Sequence, residues 1–100
     1  MLRRELADRD GIADSLEDLA TVAAALGQSQ RAARLSGSAE ALREAIDAPI
    51  PPSRRADYER NVVETRAALG QEAFAAAWAE GRAMSLEQAL AYALGEPTSS

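Results

Sequence analysis

The chain has 100 residues, of which 47% are hydrophobic, and a formal net charge of −5, so its length supports one domain with one core. The acidic balance disfavours direct binding of DNA or RNA, because phosphates repel it and its Arg residues are spread along the chain. The absence of Cys and His excludes disulfides and thiolate metal sites and removes the usual general base.

Alanine dominates the composition, at 24 of 100 residues, whereas only four residues are aromatic. Because Ala has the highest helix propensity, this composition predicts an all-α fold with closely approaching helices. No apolar run reaches the roughly 20 residues of a membrane span, and the N-terminus lacks an apolar signal segment. We therefore expect a cytoplasmic protein without a membrane partner.

The first predicted helix covers about residues 10–26 and follows a short charged segment, residues 2–9, that looks like the end of a longer helix. Asp10 is the predicted N-cap. The helix presents one apolar face with a period of 3.6 residues. The residues of that face are Ile12, Leu16, Leu19, Ala20, Ala23 and Leu26.

A turn at residues 27–29 predicts that the chain reverses, because Gly27 can adopt the left-handed conformation that ends helices. The second helix covers about residues 30–47. Gly37 lies inside it and is expected to allow close contact with a neighbouring helix, with a kink as the alternative. Its apolar face consists of Ala32, Leu35, Ala39, Leu42 and Ile46. Residues 10–47 are therefore predicted to form a helical hairpin.

A Pro-rich loop at residues 48–52 separates this hairpin from three further helices at residues 53–95. The third helix begins near Pro52 or Ser53 and ends at Gly70. Its predicted apolar face is Tyr58, Val62, Thr65 and Leu69, and that of the fourth helix is Phe74, Ala77, Trp78 and Gly81. A capping box at residues 85–88 starts the fifth helix, and Gly95 and Pro97 end it. We expect one domain, residues 1–97, and a disordered tail, residues 98–100.

Charged residues offer two candidate sites. Asp10, Asp14 and Asp18 form an i, i+4, i+8 ladder, for which a solvated helix face is the favoured interpretation and a divalent-metal site the alternative. Arg54 and its neighbour Arg55 are expected to stack on Tyr58 or to pair with Asp57 and Glu59, with phosphate binding as the alternative.

No catalytic constellation is predicted. Ser residues have no His to activate them, and the sequence has no Gly-rich phosphate loop. We therefore expect no enzymatic activity, no catalytic residue, no cofactor and no metal.

Val22 and Val63 lie off the predicted core faces, which suggests a second packing surface.

Small residues in the hairpin resemble a tetratricopeptide repeat over about 35 residues. Gly27, Ala32 and Ala39 follow the pattern G-x4-A-x6-A, with Ala20 seven residues earlier. Ser36 departs from the pattern at the usual aromatic position, and the usual Pro is missing. These departures suit a terminal repeat.

The order of further segments resembles the C-terminal end of actinobacterial LuxR-type and SARP-type transcriptional regulators and related ATPase regulators. The segments are residues 31–35, 39–44, 49–52, 58–60, 67–70, 74–82 and 85–89. The resemblance implies a tetratricopeptide-like hairpin with a three-helix C-terminal cap. It also implies a protein-interaction or regulatory module that contacts a protein, a peptide or the rest of a larger regulator.

The face of the first helix is the predicted partner surface, formed by Asp14, Asp18, Thr21 and Val22. A basic peptide would complement its charge. The alternatives are a purely structural cap of a helical solenoid, or a carboxylate-based metal site or enzyme. We also expect a homodimer, because Leu2, Leu6, Val22 and Val63 would leave apolar area uncovered.

Overall fold

Five α-helices make up the part of the chain that the computed structural model describes, which is the backbone of residues 3–95 and the side chains of residues 8–95. They are α1 (Arg3–Ala25), α2 (Ser29–Ile46), α3 (Pro52–Leu69), α4 (Gln71–Ala83) and α5 (Leu86–Ala93). No strand occurs in this range, and the all-α prediction is confirmed. The predictions for Leu2, the Leu6 side chain, Pro97 and residues 98–100 lie outside the described residues.

The first helix is longer than predicted. It begins at Arg3 and continues through Asp10 and Gly11 without a break, so the prediction that Asp10 caps a new helix is wrong. A Gly inside a helix costs about 1 kcal/mol relative to Ala, and here the surrounding helix tolerates it. The Asp10 carboxylate contacts Arg43 on α2 instead of capping the backbone.

The second helix lies at the centre of the fold, between α1 and α4. One buried cluster joins it to α1 and α5, and a second joins it to α4. The first cluster contains Leu16, Ala20, Ala23, Ala32, Leu35, Ala39 and Ala89, and the second contains Ala33, Phe74 and Ala77. Both clusters are rich in Ala, so the helices lie close together.

Two glycines form the crossing of α2 and α4. A Cβ atom at Gly37 would lie 2.3 Å from the Trp78 carbonyl oxygen, and one at Gly81 would lie 2.0 Å from the Arg34 carbonyl oxygen. Both positions must lack a side chain for the backbones to meet. The prediction that Gly37 permits close helix contact is confirmed.

Local signals predicted the boundaries of the later helices well. Pro52 is the first residue of α3, and Gly70, with φ of 87°, follows its end. The capping box of α5 is present: the Ser85 hydroxyl accepts from the Gln88 backbone N–H at 3.1 Å, and the Gln88 side chain accepts from the Ser85 N–H at 2.9 Å.

The inner face of α3 is more polar than predicted. Asn61 and Thr65 are its buried residues, whereas Tyr58, Val62 and Leu69 are only half-buried. The Thr65 hydroxyl has no hydrogen-bond partner among the described residues. This helix therefore gains less from burial than α1, α2 and α4 do.

None of the described helices combines the length and the apolar character that crossing a membrane requires.

Candidate interaction surface

Acidic side chains of α1 converge on one arginine of α2. Arg43 is only 5% exposed and donates to both carboxylate oxygens of Glu17, at 2.6 Å from Nε and 2.9 Å from Nη2. Its Nη1 reaches Asp10 at 3.1 Å, and its Nη2 reaches Asp14 at 2.5 Å. The Ala48 carbonyl accepts a further bond at 3.1 Å. The guanidinium thus ties α1, α2 and the following loop together.

A second arginine extends this cluster to α3. Arg54 contacts Asp14 at 2.6 Å and Asp18 at 2.6 Å, and lies 3.9 Å from Glu17. The prediction that Arg54 pairs with its helix neighbours Asp57 and Glu59, or stacks on Tyr58, is therefore wrong. The carboxylates of α1 attract it across the helix interface, where they counteract the unfavourable position of a cation at a helix start.

The electrostatics of the cluster favour the charged form of Arg43. Hydrogen bonds from Arg43 to Glu17 raise the pKa of the Arg43 guanidinium above its usual value, even though burial opposes this. Glu17 itself is only 6% exposed. The favoured interpretation of the ladder as a solvated helix face holds only in part: Asp10, Asp14 and Asp18 keep 38–72% of their side-chain surface exposed, but all three bind arginines.

The same contacts bear on the alternative of a metal site. Within the described residues, no group of three or more Asp, Glu, His or Cys side chains could hold a metal ion. Two guanidiniums stand among the carboxylates of the ladder. A divalent cation would have to displace these arginines.

The four residues of the predicted partner surface differ in their surroundings. Asp14 and Asp18 pair with arginines, although the Asp18 side chain stays mostly exposed. The Thr21 hydroxyl donates to the Glu17 carbonyl at 3.1 Å, one turn earlier in the same helix. Val22 is exposed, as its position off the core face predicts.

Val22 belongs to an apolar stripe on α1. Leu19, Val22 and Leu26 are 38%, 53% and 68% exposed, and their i, i+3, i+7 spacing places them on one face. Leu26 lies directly after the end of α1, and its N–H still donates to the Val22 carbonyl at 3.0 Å. The predictions that Leu19 and Leu26 belong to the core are wrong, because α1 turns Ala13, Leu16 and Ala20 toward α2 instead. We call the three exposed residues the α1 stripe.

A groove between α3 and α4 is the other notable surface. It has a volume of about 950 Å³, and its walls include Tyr58, Phe74 and Trp78. Phe74 is buried, which confirms its prediction as a core residue, whereas Trp78 is half-buried. The two rings lie 5.2 Å apart between centroids. Val63, the other off-face valine, lies on the rim of this groove and not beside Val22.

The sequence contains a signal for the buried ion cluster. Glu17 lies four residues after Ala13 and three before Ala20, so it has the phase of the α1 core face. Arg43 likewise lies four residues after Ala39 and three before Ile46. Opposite charges at core positions of two hairpin helices indicate a buried pair.

Comparison with known proteins relates the chain to transcriptional regulators. It is 39% identical over 89 residues to Rv0890c and MT0914 of Mycobacterium tuberculosis and to Mb0914c of Mycobacterium bovis. These proteins are named as candidate HTH-type transcriptional regulators. The match covers 89% of this chain and 10% of each relative.

The chain therefore spans about a tenth of the length of the curated relatives it matches. No family model matches the chain, and no solved structure matches it. These relatives support the predicted resemblance to transcriptional regulators. The tetratricopeptide-like repeat and the LuxR or SARP type remain predictions.

Proposed function

We propose that the chain is a tetratricopeptide-like interaction module of a cytoplasmic transcriptional regulator, without enzymatic activity. It presents the face of α1 to a protein or peptide partner, or to the rest of a larger regulator. The observation that carries this proposal is the α1 stripe. Three large apolar side chains lie uncovered along one helix face at the edge of the fold.

Burial of this stripe supplies a driving force for association. A fully buried Leu or Val side chain is worth about 1.5–3 kcal/mol, so a half-exposed one offers on the order of 1 kcal/mol. A single exposed apolar residue is normal on a protein surface. Three on one face offer a larger free energy of burial than one does. The stripe is thus suited to packing against another helix.

The charges beside the stripe indicate what the partner should carry. Asp18 and Asp57 lie near Val22, at the cleft between α1 and α3, and stay largely exposed although they pair with Arg54 and Arg60. Complementary charge favours Lys or Arg at the edges of the partner helix. The proposed surface therefore keeps Asp14, Asp18, Thr21 and Val22, with Asp14 acting mainly by holding Arg54, and adds Leu19 and Leu26.

In the absence of another partner, we propose that a second copy covers the stripe and forms a homodimer. The two acidic rims would repel each other, so dimerisation should strengthen with added salt. A structural cap of a solenoid would use the same face, and would then bind only the helices next to it in one chain.

Light scattering at tens of micromolar tests this proposal. The chain should have twice its monomer mass, Val22→Asp should have the monomer mass, and Val63→Asp, an equally exposed valine on α3, should still dimerise. A monomer under all salt conditions would contradict the homodimer. If Val22→Asp also left solubility unchanged, the α1 face would not be an interaction surface.

A further inference from the structure

The groove between α3 and α4 gathers three of the four aromatic residues of the chain, Tyr58, Phe74 and Trp78. Val62 and Val63 complete its apolar wall on α3, and Val63 is 61% exposed. Its volume of about 950 Å³ lies within the range of protein binding sites. Phe74 belongs to the core, whereas Tyr58 and Trp78 are only half-buried and leave part of their side chains accessible at the open groove.

The length of the groove matches a short helix. Its lining residues run from Tyr58 to Arg66 on α3 and from Gln71 to Arg82 on α4. At 1.5 Å per residue, these stretches are about 12 and 16 Å long, which corresponds to roughly two to three helical turns. A compact organic molecule would occupy only part of this length.

One end of the groove is cationic. The Arg66 guanidinium lies 5.0 Å from the centroid of the Phe74 ring. It forms no ion pair and donates no hydrogen bond to any of the described residues. A carboxylate or the C-terminal end of a helix would complement this charge.

The opposite end is anionic. Glu40 accepts hydrogen bonds from the Trp78 indole at 3.1 Å and from Arg82 at 2.6 Å. Arg82 also pairs with Glu44 at 2.7 Å. Glu59 adds a carboxylate on the α3 side, so three carboxylates and one guanidinium lie at or beside this end. This end would complement a basic residue or the N-terminal end of a helix.

We propose that the groove binds an amphipathic α-helix of another protein. The helix spans two to three turns and packs aliphatic side chains at i, i+3 or i+4, and i+7 against Tyr58, Val63 and Trp78. Its N-terminal end carries a basic residue near Glu59, and its C-terminal end carries an acidic residue near Arg66. This site is separate from the α1 stripe, and the proposal goes beyond the function proposed above and does not depend on it.

Selection from a library of displayed twelve-residue helices against the folded chain tests the proposal. Selected peptides should share the aliphatic spacing and carry a basic start and an acidic end. Trp78 is the only Trp of the chain, so its fluorescence should change saturably on addition of a selected peptide. Far-UV circular dichroism verifies that every variant is folded.

Two groove variants and one matched control locate the binding site. Val63→Asp on α3 and Ala79→Arg on α4 alter exposed positions of the two walls, and each should weaken peptide binding at least tenfold. Val22→Asp, at an exposed valine of the α1 stripe, should bind as the unmodified chain does. Arg66→Glu should reverse the preference, so that peptides with a basic end replace those with an acidic end.

Three results would overturn the proposal. One is the absence of any enriched helix, and another is selected peptides that bind Val63→Asp and Ala79→Arg undiminished. The third is saturable binding of the apolar anion 8-anilinonaphthalene-1-sulfonate that Val63→Asp abolishes, while no helix is selected. This third result would assign the groove to a small organic anion. Val22→Asp alters only the α1 stripe. If the proposed dimer does not form, the peptide-binding results for the groove are therefore interpreted in the same way.

Discussion

Arg43 shows how one side chain can organise the interface of three segments. Its guanidinium is buried and satisfied by three carboxylates and one backbone carbonyl. A buried ion pair is not necessarily more stabilising than an apolar pair, but the removal of one partner leaves an uncompensated charge. Glu17, which is equally buried, is the residue that would lose its main partner.

We expect Arg43→Met to lower the free energy of unfolding by about 3–5 kcal/mol, because the Glu17 carboxylate would stay buried with Arg54 only at long range. Arg43→Met combined with Glu17→Met should recover most of this loss. Urea unfolding followed by circular dichroism measures both values. Arg60→Met is the matched control, since its pair with Asp57 is exposed and worth less than about 1 kcal/mol. Equal losses of stability at Arg43 and Arg60 would contradict the conclusion that Arg43 neutralises a buried carboxylate.

Thr65 carries a buried polar group that is expected to lower the stability of the protein. Its buried hydroxyl lacks a hydrogen-bond partner among the described residues, and such a group costs about 1–3 kcal/mol. Thr65→Val should therefore stabilise the protein by about 1 kcal/mol in urea unfolding. Thr21→Val removes an exposed hydroxyl that is hydrogen-bonded, and should not stabilise. A destabilised Thr65→Val variant would show that the hydroxyl has a partner, such as an ordered water molecule.

At the scale of elements, the crossing of α2 and α4 depends on two glycines. Each glycine lies against a backbone carbonyl of the other helix, so rotation of a side chain could not relieve the clash with an added Cβ atom. Close approach of the helices compensates for the small area that each Ala buries. The crossing therefore explains how an Ala-rich chain builds a core.

Gly37→Ala and Gly81→Ala should each destabilise the protein by about 2 kcal/mol or more, because the added Cβ forces the helices apart. Gly11→Ala is the matched control within a helix. No atom lies within 4 Å of a Cβ at Gly11, so the higher helix propensity of Ala should stabilise the protein by about 0.5–1 kcal/mol. Thermal unfolding distinguishes the two signs. A stabilising Gly37→Ala variant would contradict the close crossing.

At the scale of the whole molecule, the fold keeps one tyrosine neutral. Burial, together with the negative charges of Glu40 and Glu17, raises the pKa of Tyr58 well above its usual value, and Arg43 opposes this only in part. An acid whose pKa is raised by folding contributes stability that is fully present below its unfolded pKa. For Tyr58 this contribution is lost as the pH rises above about 10.

Tyr58→Phe should therefore reduce the loss of stability at alkaline pH. The free energy of unfolding of the unmodified chain should fall more steeply than that of the variant between about pH 9.5 and 11, where the unfolded tyrosine ionises. Urea midpoints at several pH values in this range provide the measurement. Parallel curves for the two proteins would mean that Tyr58 ionises in the folded state as it does in the unfolded chain.

Local chemistry was sufficient to predict the helices and most of their ends. A Gly with positive φ after α1, Pro at the start of α3 and the Ser85 capping box act within a few residues. These signals do not require contacts between distant parts of the chain. The all-α class and the hairpin were predictable for the same reason. Gly37 indicated only that a neighbouring helix comes close, and the tertiary structure decided that this helix is α4.

Tertiary structure decided which face of α1 is buried, and with it the position of the α1 stripe. Apolar residues cover much of that helix, so a period of 3.6 residues allows either Leu16 or Leu19 to face α2. Packing buries the face with the small residues Ala13, Ala20 and Ala23, so that α2 lies close to α1 and Arg43 reaches Glu17. Leu19 and Leu26 are left at the surface, because close packing and charge pairing depend on the partner helix and not on the local sequence.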